Sequence, residues 1–259
     1  MKKQKGFKNY IKNEFSLFLG SFKKLDRRMI YTVLIDFVFV SLIVLSIMGW
    51  NSIMIKKMGS IDPTLLENPE GMSAEQAAQA AELVKGQFAG LVLWTIAIAL
   101  SSFLLMVLFK GWIWNIVMKK RTTLNFFGKF LLLNLLWYIL WLVPSIIIVS
   151  SLKETAAKVF FLIAFALCVF FTAILYVFFI KSNLVFDSVK NAFSIGFGRI
   201  SVFIAPILFI ALTVVIISIV TIPMKYIPLK VSAAISIVIL FVYTAWIRFY
   251  FADVVEMVR

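Results

Sequence analysis

Apolar residues gather along the chain into six long runs divided by short polar stretches, and inside the runs they do not alternate with polar ones. The runs cover about 29–50, 88–109 with a continuation to about 118, 130–150, 156–180, 200–222 and 229–251. A helix rising about 1.5 Å per residue needs roughly 20 apolar residues to cross a hydrocarbon core of about 30 Å, and each run has that length. A transmembrane β-barrel would instead show alternating segments of about ten residues. Leu91 to Phe109 and Phe160 to Ile180 are almost unbroken. Backbone groups in lipid must be satisfied within their own segment, so the pattern predicts an all-α, polytopic membrane protein with six transmembrane helices.

Composition agrees, with 63% hydrophobic residues and a mean hydropathy of +1.02 against roughly half apolar usage in soluble domains. The first run is a full span behind a 28-residue arm with no small-x-small site after Trp50, which argues against a cleaved secretory signal.

Charge sets the expected orientation. Of 26 basic residues, nine lie in the first 28 positions, four in 119–129, three in 181–199 and two from Arg248 onward, with Lys110 on the same side. The other side holds seven, and its long loop, 51–87, is acidic through Asp62, Glu67, Glu70, Glu75 and Glu82. The positive-inside rule then predicts a multi-pass protein of the cell membrane with both termini cytoplasmic. The net charge of +14 reads as topology, and no cytoplasmic segment is long enough for a folded basic face, so nucleic acid is not an expected partner. The organisation expected is a cytoplasmic segment over 1–28 followed by a membrane domain over 29–259.

Two landmarks recur. Phe127-Gly128-Lys129-Phe130 precedes span three and Phe197-Gly198-Arg199-Ile200 precedes span five, 70 residues later, while Lys110, Lys181 and Arg248 are 71 and 67 apart. Phe18-Leu19-Gly20-Ser21-Phe22-Lys23-Lys24 is a looser copy before span one. The spacing predicts three hairpin repeats, each an amphipathic lead-in, an outward span and a returning span that ends near a cation. In the first lead-in Phe7, Ile11, Phe15, Phe18, Phe22 and Leu25 recur at spacings of three and four. Phe186, Val189, Phe193, Phe197 and Ile200 repeat that pattern before span five. Such helices are expected in the cytoplasmic interface, the aromatic stripe at the headgroup boundary and lysines toward anionic lipid.

Local signals mark boundaries. Ser73 with Gln76 and Ser151 with Glu154 have capping-box spacing, Asn68-Pro69-Glu70-Gly71 reads as a turn, and Pro144 and Pro206 fall inside spans. Gly86 and Gly90 have the spacing of a close helix contact.

Candidate chemistry is sparse. Asp36 is the one acidic residue well inside a span, about 12 Å past Arg28, and Lys110 is nine residues from Lys119 on the antiparallel span. Matched depth makes Asp36 and Lys110 a candidate intramembrane pair, either an ion or proton relay or a structural pair that sets helix register. Lys110, Lys181 and Arg248 are candidates for an anionic headgroup site if they share a cavity, and otherwise snorkel to lipid phosphates. Asn115, Asn134 and Asn183 are expected to bond across helices. The chain has no histidine and one cysteine, Cys168, so His-based catalysis, a His- or Cys-built metal centre and an intrachain disulfide are excluded. No cofactor, metal site or catalytic residue is expected.

The stretch Asp187-Ser188-Val189-Lys190-Asn191-Ala192-Phe193-Ser194-Ile195-Gly196-Phe197-Gly198-Arg199, followed by an apolar span, resembles the sequence that leads into a span in six-span proteins. Those proteins are related to the membrane domain attached to some bacterial glycerophosphodiester phosphodiesterases. The resemblance covers this stretch, the following span and the overall topology, and implies a non-catalytic membrane domain to which no catalytic residue is carried over. The function expected is non-enzymatic, either a scaffold organising lipid or partner proteins at the inner leaflet or the membrane subunit of a larger complex, with membrane lipids and anionic headgroups, and protein subunits or a second copy, as expected partners. The alternative is a transporter or permease component working through Asp36 and Lys110.

Overall fold

The computed structural model describes residues 13–23, 26–58 and 74–258, in which every regular element is a helix. Residues 13–22 are helical (α1). Then come α2 (Arg27–Met58), α3 (Ala74–Val117), α4 (Leu124–Ser151), α5 (Glu154–Ser182), α6 (Val185–Gly198), α7 (Ile200–Thr221), a short 3-10 turn (Ile222–Tyr226) and α8 (Leu229–Val258). Six of these helices are long and apolar enough to cross a membrane, the mark of a multi-pass membrane protein. Pro144 and Pro206 lie inside α4 and α7. The cap at Ser73, the turn at 68–71 and the positions Phe7, Ile11 and Leu25 lie outside the described residues.

The chain divides into two compact units, Phe37–Leu108 and the remainder, Met1–Asp36 with Phe109–Arg259. Within the first, the indole N–H of Trp50 donates to the Thr95 hydroxyl at 3.2 Å. A Cβ on Gly90 would meet the Lys57 ammonium, whereas Gly86 faces open space, so only one of the two glycines marks a close approach.

The larger unit has its core at one end. The second half of α5 is apolar on every side and is buried from Ile174 to Ile180, between α4, α6 and α8. The last part of α8 and the first part of α4, through Phe126, Phe130, Leu133 and Trp137, complete it. Gly111 lets α3 come close to α4, since a Cβ there would stand 3.0 Å from the Phe130 ring and 3.2 Å from those of Phe126 and Phe127.

Helix ends depart from the sequence expectation at Ser151. That residue closes α4 and turns its hydroxyl back onto the Ile148 carbonyl at 2.8 Å, so no capping box forms. Lys153 takes the N-cap position of α5 without a side-chain bond, and Glu154 pairs instead with Lys158. Asn183 does not bond across helices through its side chain. It ends α5 in the left-handed conformation (φ 54°), which Asn tolerates, and its N–H reaches the Phe179 carbonyl at 2.7 Å.

Separate helices precede spans one and five but not span three. Only residues 118–123 join α3 to α4, and Phe127-Gly128-Lys129 lies inside α4 itself, capped by Thr123. The two separate helices pack on protein as well as presenting apolar residues outward. On α1, Phe18 stacks with Phe209 (4.9 Å between centroids), and Ser21 accepts the Trp246 indole N–H at 2.9 Å. On α6, Ser188, Ala192 and Gly196 are buried while Phe186 and Phe197 are exposed. A Cβ on Gly196 would overlap the ring of Phe171, itself enclosed by Trp141, Phe170, Phe193 and Phe197. Gly196→Ala is expected to cost about 1–3 kcal/mol in a detergent unfolding assay. Pairing it with Phe171→Leu, which frees that space, should recover part of the loss, and an additive double variant would refute the contact.

Candidate site at the basic end of the larger unit

Asp36 sits on α2 one turn after Thr32, whose hydroxyl is occupied by the Met29 carbonyl at 2.8 Å. Its partner is Arg248 of α8. One guanidinium nitrogen, Nη1, donates to Oδ2 and the other, Nη2, to Oδ1 at 3.1 Å. The side chains are only 5% and 9% exposed, so this is a buried, two-pronged ion pair between the first and last spans. Lys110 lies within Coulombic reach of both charges. The pair expected between Asp36 and Lys110 is therefore a three-charge cluster in which Arg248 makes the direct two-pronged contact.

Lys181 is elsewhere. Its ammonium pairs with Glu256 at 2.8 Å, near the end of α8. Each of the three cations has a carboxylate within reach, Asp36 for Arg248 and Lys110 and Glu256 for Lys181.

The polar cavity at this end is built from other residues. It has a volume of about 460 Å³ and is lined by Arg28, Met118, Lys119, Asp253 and Glu256, with Val117, Phe249 and Ala252 on its apolar wall. Asp26 caps α2, accepting from the Arg28 backbone N–H at 2.9 Å and from its guanidinium at 2.7 Å. Partial burial pushes the Asp26 carboxyl up, but the hydrogen bonds and charge of Arg28 outweigh this and hold it below its usual value. The same guanidinium stands 5.4 Å over the Phe249 ring.

Lys119 has a strained backbone. It follows α3 at φ 53°, where its N–H bonds the Ile116 carbonyl (3.3 Å) and the next N–H, from Lys120, bonds that of Asn115 (2.9 Å). This helix-ending motif strongly favours glycine at the left-handed position, and a side chain there costs about 1 kcal/mol. The strained residue is one whose charge lines the cavity.

A second polar cluster links α4 and α5. Asn134 donates to its own helix at the Phe130 carbonyl (2.7 Å) and accepts the Tyr176 hydroxyl, and Trp137 donates to Thr172 at 2.8 Å. Asn115 is buried, and its amide nitrogen has no hydrogen-bond partner among the described residues. Cys168 is half-buried, with its sulfur 3.9 Å from the Thr172 hydroxyl. No group of three His, Cys, Asp or Glu side chains arranged for a metal occurs among the described residues.

Sequence reasoning did not single out Asp253 or Glu256, and it used Arg28 and Lys119 only as reference points for depth. Their common signal is that all four lie within a few residues of where an apolar run ends.

Comparison with protein-family models, with curated proteins and with solved structures gives no match.

Proposed function

We propose that the chain is a non-catalytic membrane protein, with both termini in the cytoplasm of the cell, that organises phospholipid at the inner leaflet, alone or as subunit of a larger complex. The observation that carries this reading is the mixed-charge cavity of about 460 Å³ at the end where the basic residues concentrate. Phosphate headgroups lie at that depth, and basic groups near the ends of spans are suited to them. Three hairpins fit the same reading. α4 packs with α5, α7 packs with α8, and α2 meets α3 through Trp50 and Thr95. α1 and α6 serve as interfacial helices, each with one face on protein and aromatic residues left for the headgroup region.

The two-pronged bond from Arg248 favours this over transport through Asp36 and Lys110, because a carboxylate held from both oxygens is a poor carrier of a moving proton or ion. The test is lipid analysis of protein purified in mild detergent. Phospholipid should be retained in stoichiometric amount and lost from Arg28→Gln with Lys119→Gln. Absence of retained phospholipid, or equal retention by that variant, overturns the proposal. A flux into proteoliposomes abolished by Asp36→Asn in a folded protein would establish transport instead.

A further inference from the structure

A second, separate space lies along two of the same helices. An apolar groove of about 490 Å³ is lined by Phe18 and Phe22 of α1, Met29 of α2, Ile216 of α7, and Val238 and Trp246 of α8, among others. On α8 the two spaces share one face. Ile239, Val242 and Trp246 line the groove, Phe249, Asp253 and Glu256 line the polar cavity, and the six recur at intervals of three and four residues. Such spacing is a single continuous stripe along a helix, apolar over its first four members and acidic over its last two. The changeover is matched on α2, where Arg28 lines the cavity and the next residue, Met29, lines the groove. The centres of the two spaces lie about ten residues apart on α8, or about 15 Å.

We propose that this stripe holds one phospholipid whose headgroup carries a primary ammonium, with an acyl chain in the groove. The inference rests on the lipid-organising reading above and adds which lipid. Three cations and three carboxylates meet at the cavity, Arg28 and Lys119 with Asp253 and Glu256 on its wall, Asp26 bonded to Arg28 and Lys181 paired with Glu256, and this even balance suits a zwitterion better than an anion. Arg28 and Lys119 take the phosphate. The ammonium lies toward Asp253 and Glu256, which accept its N–H hydrogen bonds. A trimethylammonium group has no N–H to give, and a headgroup that is only anionic would place its charge beside two carboxylates. The groove offers no polar lining to a headgroup, which matches a hydrocarbon chain.

The experiment offers the purified protein vesicles containing equal amounts of phosphatidylethanolamine, phosphatidylcholine and phosphatidylglycerol of identical chains, and reads retained lipid by native mass spectrometry. Phosphatidylethanolamine should be retained about tenfold over the other two, the worth of one or two charged hydrogen bonds. Asp253→Asn with Glu256→Gln should abolish that preference. Lys119→Gly relieves the left-handed backbone, so it should keep or raise thermal stability while retained lipid falls; unchanged retention overturns the phosphate role of Lys119. Val238→Phe, at an exposed position of the groove, should lower retention of all three lipids. Equal retention of the three by the unmodified protein overturns the ammonium assignment and leaves the lipid-organising reading standing. No retained phospholipid overturns both. Stabilisation by free phosphoethanolamine equal to that by the lipid, with Val238→Phe without effect, makes the ligand a soluble ester and overturns the acyl-chain assignment.

Discussion

Asp36→Leu is expected to destabilise the protein by about 3–5 kcal/mol, read from chemical or thermal unfolding in detergent. The carboxylate is 5% exposed, and its removal leaves the Arg248 guanidinium buried without its counter-charge, with Lys110 close enough to add repulsion. Arg248→Met is expected to cost less, because Lys110 stays within reach of Asp36 and supplies a second cation. The double variant should return close to the parent, since replacing both members of a buried pair by apolar groups of similar size is often neutral or stabilising. Equal single effects would mean that Lys110 does not act on Asp36. A double variant as damaged as Asp36→Leu alone would mean that Leu and Met do not fill the space that the pair occupies.

Trp137→Ala should also be severe, at about 3–5 kcal/mol. Its side chain is fully buried where three helices meet. The ring lies 5.3 Å from Phe193 of α6, and the indole N–H bonds Thr172 of α5. Trp137→Phe keeps an aromatic ring in place and should cost less, the lost hydrogen bond contributing about 1 kcal/mol, since the Thr172 hydroxyl still donates to the Cys168 carbonyl. Near-equal losses in the two variants would shift the weight from ring packing to the bond.

The spans were legible because an uninterrupted apolar run of this length has one stable form in lipid. Partners across helices were much less so. Counting residues from Arg28 and Lys119 gives the depth of Asp36 and Lys110 but not the direction in which either points around its helix. Arg248 lies at a similar level, and the rotation of α8 makes it the two-pronged partner. The protein-facing sides of α1 and α6 were hidden for another reason. Several of their packing residues, Ser21, Ser188, Ala192 and Gly196, are small, and the phenylalanines divide between protein contacts (Phe18, Phe193) and exposed positions (Phe186, Phe197), so the aromatic pattern does not show which face is buried. Ser151 shows the limit of a local motif, since its hydroxyl had a carbonyl of its own helix within reach. The polar cavity was unreadable as a unit because its residues come from the ends of three helices far apart in the chain.

The ion pair between α2 and α8 also constrains the order of biosynthesis. Asp36 and Arg248 are separated by 212 positions, so at about 5–20 residues per second roughly 10–40 s pass between their syntheses. Through that interval the first span resides in the membrane with its carboxylate deprived of its final partner. Lys110, which is made much sooner, is then the charge within its reach. Chains arrested before α8 therefore lack the two-pronged pair that joins the first span to the last, and completion of the last helix supplies it.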